Sequence, residues 1–296
     1  LINLKSILFK KEPFISYFMF KPNCLILTLA PEICLKSTQV RIFYERFLKK
    51  NIVEYLKFDG VPYSQLLVRS GRMYIFSEKP KSVLKSIENC FGIYKFAYAE
   101  EKEIKDLEDL VELGSKLGVE KLNETFAVRA KSYDKDVKSK KIEELLGAEI
   151  LKKNPKLKVN LSKPKTQLNC ILIKKKVYFY FEEISGSKGM PIGTQGVVAL
   201  IGKDKNKLKK IAFGLLKTGC RVLTVDNELT ELAKWNNCLE PKDVSLDEAK
   251  ESYSLGRIRA FFCDATTLYE KEKIDKEIGV KSFAPLFCIL APTPFD

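Results

Sequence analysis

Between residues 23 and 102 the hydrophobic period of the chain changes in an order that few folds accommodate. NCLILTLA, from Asn23 to Ala30, reads as a strand. From Thr38 onward Val40, Phe43, Phe47, Leu48, Ile52, Tyr55 and Leu56 recur at spacings of three and four, one apolar face over roughly five helical turns. QLLVRS and RMYIFS then flank Ser70-Gly71 as a hairpin, because glycine accepts the positive φ of a tight turn. A second helix runs from Pro80 through Val83, Leu84, Ile87 and Phe91, and GIYKFAYAE closes the unit as a strand. Strand, helix, strand, strand, helix, strand is the ferredoxin-like arrangement, which predicts an α+β N-terminal domain at 20–102.

Residues 104–122 return to helical spacing, through Ile104, Leu107, Leu110, Val111, Leu113 and Leu117. A second domain, expected at 103–190, continues with the strand TFAVRAKS and a helix holding Ile142, Leu145, Leu146 and Ile150. The strands KVNLS, QLNCILI and VYFYFEE complete it. The chain has 296 residues and a formal net charge of +14. Lys121 to Met190 holds 17 basic and 8 acidic residues, about two-thirds of that excess. A surface so cationic favours polyanions, by phosphate neutralisation and counterion release. Arg129 and Lys131 alternate with apolar neighbours on one strand and so share a face. Lys138, Lys140, Lys152, Lys153, Lys163, Lys165 and Lys174 to Lys176 are further candidates on charge, each set against the ordinary role of a solvated lysine. Tyr178 and Tyr180 offer faces for unpaired bases, although core packing is the commoner role of such residues.

Several chemistries are excluded or disfavoured. The chain has no histidine, so histidine acid–base catalysis and histidine metal sites are absent. Its eight cysteines include no CxxC pair, and four sit in apolar runs, which reads as buried thiols rather than a disulfide framework. No run reaches the roughly 18 apolar residues of a membrane helix, and a cytoplasmic protein with no membrane partner is expected. No catalytic residue and no metal ligand is assigned. Residues 1–19 lack a signal-peptide cleavage pattern and read as an extension outside the fold, with Met19 as the natural start.

Four glycines fall between Gly186 and Gly196, a composition typical of an interdomain connector. Beyond it VVALI, a helix from Lys207 to Lys217, CRVLTVD, IRAFFCD, a helix from Thr266 and FAPLFCILA alternate as strand and helix. The third domain, 197–296, is therefore expected to be a small, mostly parallel sheet, making the whole chain α/β with an α+β N-terminal half.

Taken together, these segments resemble the tRNA 4-thiouridine synthetase family. Glu32-Ile-Cys-Leu-Lys36 with Arg41 and Phe43 looks like the family's opening Gly-Glu-Ile-x-Leu-Lys signature, with Pro31 in place of the glycine. Ser70-Gly71-Arg72 and Phe91-Gly92-Ile93 fit the same ferredoxin-like domain. Thr125 to Lys131, Leu146-Gly147, Val159 to Leu161 with Pro164, and Gly189-Met-Pro-Ile-Gly-Thr-Gln-Gly196 resemble the THUMP domain and its exit. The resemblance implies that these two domains hold the acceptor end of tRNA, with Lys36 and Arg41 near the same groove as the THUMP lysines.

It also implies a PP-loop domain with a Ser-Gly-Gly-x-Asp-Ser nucleotide loop. The corresponding stretch is Gly202-Lys203-Asp204-Lys205-Asn206-Lys207, with one glycine and no serine. The expectation is a degenerate, shortened PP-loop domain, no cofactor, and a protein that recruits or presents tRNA to a catalytic sulfurtransferase or acts as a homodimer. The alternative is a divergent active ATP-dependent sulfurtransferase that binds ATP through the altered loop. Cys288 lies inside an apolar run and reads as core rather than as a persulfide carrier. Methyl transfer is disfavoured, since no GxGxxG follows a strand in the last domain.

Overall fold

Cys24–Leu29 forms β1, apolar at nearly every position because it is an inner strand with a neighbour on each side. A short helix α1 (Pro31–Cys34) and the long α2 (Thr38–Phe58) follow, then the hairpin β2 (Gln65–Arg69) and β3 (Arg72–Phe76), α3 (Pro80–Ile87) and β4 (Ile93–Glu103). In a computed structural model of the chain these strands pair in the order β2-β3-β1-β4, every pair antiparallel. That is the ferredoxin-like order the periodicity predicts. The turn carries both of its residues at positive φ, Ser70 at 53° and Gly71 at 70°. One expectation fails in α2. Its buried side chains begin at Leu48, while Val40 and Phe43 are 41% and 45% exposed. The first turns of α2 therefore lie outside the buried core.

Next come α4 (Leu107–Lys121), β5 (Thr125–Ser132), α5 (Ser139–Lys153), β6 (Lys158–Val159), β7 (Thr166–Ile173) and β8 (Lys176–Tyr180). Their strands run β8-β7-β5-β6, and β5 is parallel to both β6 and β7. Asp106 caps α4 by accepting from the Asp109 N–H at 2.9 Å, a bond that contributes about 1 kcal/mol. Tyr178, Phe179 and Tyr180 are all buried, so they are core, not a base-stacking platform.

The short β9 (Ile184–Ser185) pairs with β4. The C-terminal part is β10 (Val197–Ile201), α6 (Lys205–Lys217), β11 (Arg221–Val225), a 3-10 turn at Thr230–Trp235, β12 (Asp243–Val244), α7 (Leu246–Ser254), β13 (Ile258–Cys263), α8 (Leu268–Ile278) and β14 (Ser282–Phe283). Its five strands are parallel, in the order β12-β11-β10-β13-β14. The segment between Asp226 and Arg257 holds α7, which opens on a capping box between Ser245 and Glu248. The structure describes residues 20–226, 229–235, 243–285 and 294. The expectations for residues 1–19 and for Cys288 lie outside these.

Residues 102–179 form one compact unit, and residues 22–101 with 180–296 form another. In the second, the glycine-rich stretch is fastened on both sides. The Gly186 and Lys188 N–H groups bond the Tyr94 and Ile93 carbonyls at 2.9 and 2.8 Å, and the Gly92 N–H bonds the Lys188 carbonyl at 2.8 Å. On the other side the Met190 N–H bonds the Lys217 carbonyl, and the Gly193 and Gln195 N–H groups share that of Gly219. Asn51 of α2 donates to the Ile192 carbonyl at 3.1 Å. The rings of Phe91, Phe213 and Trp235 meet edge to face in series, at 5.7 and 5.1 Å. Composition suggested a connector, and hydrogen bonding makes it a joint.

Burial pushes the Cys24 and Cys170 thiols far above the ordinary range, and a carboxylate at Glu101 adds to the effect at Cys24. Cys34 is exposed. Iodoacetamide at neutral pH is expected to label Cys34 in the native chain and to spare Cys24 and Cys170 until unfolding, read by peptide mass mapping. Early labelling of Cys170 would refute the packing of β7.

Candidate nucleic-acid interface and nucleotide loop

The cationic side chains of residues 121–190 divide into those already engaged and those left over. Lys153 bridges Glu112, the Ser115 hydroxyl and Glu149, tying α5 to α4. Those contacts hold Glu112 below the usual carboxylate range. Lys152 pairs with Glu149 at 3.6 Å and Lys140 with Glu144 at 3.9 Å, exposed helix pairs that contribute well under 1 kcal/mol each. Lys165 is paired with Glu124, and its backbone N–H bonds Thr125 at the start of β5. Lys131 lies six residues further along that strand, about 20 Å away. Lys165 therefore lies at the opposite end of the strand from Lys131.

At the other end of β5 the backbone gathers charge. Tyr133 N–H bonds the Leu172 carbonyl at 2.9 Å, and Lys174 N–H bonds Asp134 at 2.6 Å. Ser132 N–H bonds the Ser139 hydroxyl at 2.9 Å at the head of α5. These bonds bring Lys131, Lys138 and Lys174 to one end of the sheet, and no carboxylate pairs with any of them among the described residues. The Lys131 ammonium sits 5.3 Å from the Tyr133 ring centroid. Arg129 shares the face of Lys131 and donates to the Leu161 carbonyl, while Asn160 accepts from the Ser162 and Lys163 N–H groups at 3.1 and 3.0 Å. The loop carrying Lys163 is thus shaped by an Asx turn and held by Arg129. In the other unit, Lys36 is exposed before α2, and Arg41 faces Glu45 at 3.6 Å.

The nucleotide-loop residues meet at the C-terminal edge of the parallel sheet, between β10 and β13. That is where the strand order reverses, the crevice in which such sheets bind ligands. Gly202 ends β10 and Asp204 caps α6, its Oδ1 accepting from the Asn206 and Lys207 N–H groups at 3.0 and 3.2 Å. Asp264, 8% exposed at the end of β13, accepts the Lys203 and Asp204 N–H groups on its Oδ2 at 2.9 and 2.8 Å. A Cβ on Gly202 would stand 2.4 Å from the Asp264 Cγ, so only glycine fits above that carboxylate. Four backbone N–H groups at the head of a helix, the donors that ordinarily cradle a phosphate, thus already hold carboxylates of the chain.

A cleft of about 340 Å³ opens beside the loop, floored by Ile201, Ala265, Ile274 and Ile278. Its charged lining is Asp204, Asp264, Glu270 and Glu277 against Lys203, Lys207 and Lys273. The Thr266 N–H and hydroxyl, each 2.8 Å from Glu270, hold that carboxyl below its usual range. Sequence reasoning singled out the loop but missed Asp264 as its occupant, because a contact between residues 61 apart leaves no local pattern. It also missed the arginines at the opposite edge of this sheet.

The model of the ThiI ferredoxin-like domain matches residues 25–97, and that of the THUMP domain matches residues 101–182. A probable tRNA sulfurtransferase of Thermococcus kodakarensis is 26% identical over 265 residues, 87% of this chain and 68% of that one. Its counterparts in Methanosarcina acetivorans and Caldanaerobacter subterraneus are 29% and 30% identical, over 70% and 66% of this chain and 52% and 50% of theirs. The chain therefore spans half to two-thirds of the length of these relatives. Among solved structures, PH1313 from Pyrococcus horikoshii superposes with a TM-score of 0.75 at 26% identity, over 92% of this chain and 96% of that one. A 4-thiouridine synthetase crystallised with RNA and bound ATP shares the fold, with a TM-score of 0.57 at 22% identity over 87% of this chain and 71% of that one. With a ThiI ferredoxin-like domain followed by a THUMP domain, this chain is ThiI-like, and it resembles the tRNA 4-thiouridine synthetase family across both.

Proposed function

We propose that this chain binds the acceptor end of tRNA through its THUMP domain and presents it for thio-modification, without adenylating it. The tRNA part of this reading is supported by the THUMP match, by relatives described as tRNA sulfurtransferases, and by the related synthetase solved with RNA. Arg129, Lys131, Lys138 and Lys163 are the proposed phosphate contacts, with Lys36 and Arg41 contributing from the ferredoxin-like domain. They act by neutralising phosphates, which supplies affinity and positions the RNA without reading its sequence.

The observation that carries the second half is the occupied loop. A phosphate arriving at Gly202 to Lys207 would have to displace Asp264 and Asp204 from four N–H bonds, in a cleft where carboxylates outnumber lysines. Like charges at that range oppose a triphosphate. Thiolation of the presented tRNA then falls to a separate sulfurtransferase.

Isothermal titration with ATP and magnesium is expected to give no saturable heat. Saturable binding that Gly202→Ala abolishes would overturn the lost-site reading and favour the ATP-dependent sulfurtransferase. Asp264→Ala leaves the Lys203 and Asp204 N–H groups unpaired and is expected to lower stability by about 1–3 kcal/mol, seen as a lower urea midpoint. Inorganic phosphate should then stabilise the variant more than the wild type. For the RNA surface, Arg129→Ala with Lys131→Ala is expected to weaken tRNA binding and to make the slope of log K against log salt shallower by about one to two. An unchanged slope would place the phosphate contacts elsewhere.

A further inference from the structure

The N-terminal edge of the C-terminal sheet carries a set of cations that the reading above does not use. Arg221 opens β11 and Arg257 immediately precedes β13, whose second residue is Arg259. Both strands flank β10, since Val197 is in register with Arg221 on one side and Ile258 on the other. Gly193 and Gly196, with φ of 94° and 86°, precede β10 and pass directly against these arginines. A Cβ on Gly196 would stand 2.5 Å from the Arg259 Nε and 2.7 Å from its Cδ. One on Gly193 would meet the Phe47 ring at 3.2 Å and the Arg221 Nε at 3.3 Å. The arginine stems thus lie along bare glycine backbone, and Phe47 of α2 borders the same gap.

The surrounding sequence leaves these cations unneutralised. Residues 186–197, 216–221 and 256–259 meet at this edge and contain Lys188, Lys217, Arg221, Arg257 and Arg259, with no Asp or Glu. Lys95, Lys209 and Lys271 elsewhere in this unit each sit on a carboxylate. The side chains of Arg221, Arg257 and Arg259 make no ion pair or hydrogen bond among the described residues. Beside them the start of α2 presents Phe43, 45% exposed and 4.8 Å from the Phe47 ring. Planar guanidinium groups match phosphate oxygens in bidentate fashion, and an adjoining exposed aromatic ring suits an unpaired base.

We propose that this edge is a second RNA-contacting surface. Arg221, Arg257 and Arg259 hold the phosphodiester backbone of the bound tRNA, and Phe43 stacks on an unpaired nucleotide. The inference rests on the tRNA-binding reading and extends it to a surface of the other compact unit.

Fluorescence anisotropy of labelled tRNA, titrated with the full chain over a range of salt, tests it. Arg221→Ala with Arg259→Ala is expected to weaken binding at least about tenfold near physiological salt and to make the log–log salt slope shallower by about two. Arg221→Lys with Arg259→Lys should recover much of the slope, because charge is kept while bidentate geometry is lost. Arg257→Glu, at an exposed position, should weaken binding with an unchanged melting temperature, so an alanine pair that fails to fold leaves a decisive variant. Phe43→Ala should lower affinity at constant slope. Unaltered affinity and slope in Arg257→Glu and the alanine pair, with Arg129→Ala/Lys131→Ala still impaired, would overturn this surface and leave the THUMP reading intact. Loss of binding to vesicles containing anionic lipid, with tRNA binding unaffected, would overturn it in favour of a membrane surface. Absence of tRNA binding by the wild type would overturn both readings.

Discussion

Buried backbone polar groups must be paired, and in this chain that requirement binds the ferredoxin-like part and the C-terminal sheet into one unit. From Gly186 to Gly196 the backbone runs between β4 on one side and the end of α6 on the other, bonding to both. A side chain at Gly189 would meet the Lys217 carbonyl at 2.5 Å, and one at Gly186 the Ile93 carbonyl at 2.4 Å. Glycines serve here to let two backbones approach, not to give freedom. The buried Asn51 and the Phe91–Phe213–Trp235 series reinforce the joint with side chains from both parts.

The same accounting governs the head of α6. Helix N-termini leave N–H groups without intrahelical partners, and proteins satisfy them with caps, water or ligands. Here four N–H groups are taken up internally, by Asp204 from within the loop and Asp264 from the end of the neighbouring strand. The parallel sheet retains the geometry that makes its C-terminal edge a ligand crevice, while the donors in that crevice are spoken for. The occupied loop supports the proposed reading, in which the domain serves RNA binding rather than nucleotide turnover.

Much of the fold was legible because its signals are local. The strand and helix periods of residues 23–102, the Ser70-Gly71 turn and, among the described residues, the alternation from β10 to α8 each follow from spacing alone. Val40 and Phe43 misled because periodicity reports a face, not whether anything lies beneath it. The connector reading of residues 186–196 placed the link but not its bonds, which come from residues about 30 to 100 positions away. The basic stretch of the THUMP domain was visible as charge, but which lysines are free was not. Lys153 and Lys165 are tied to carboxylates 41 residues distant, whereas Lys131 and Lys138 are not. Charge counts cannot see pairing.

The carboxylate beneath Gly202 also changes what kind of competition any dissolved anion faces. Asp264 is attached to the fold, so it meets the loop as an intramolecular ligand, at an effective concentration of millimolar or more that dilution never lowers. Adding glycines or serines to the loop would not by itself reopen the cradle while that tethered anion remains. On the proposed reading, phosphate at this loop is opposed by two carboxylates, Asp204 within it and Asp264 just after the neighbouring strand.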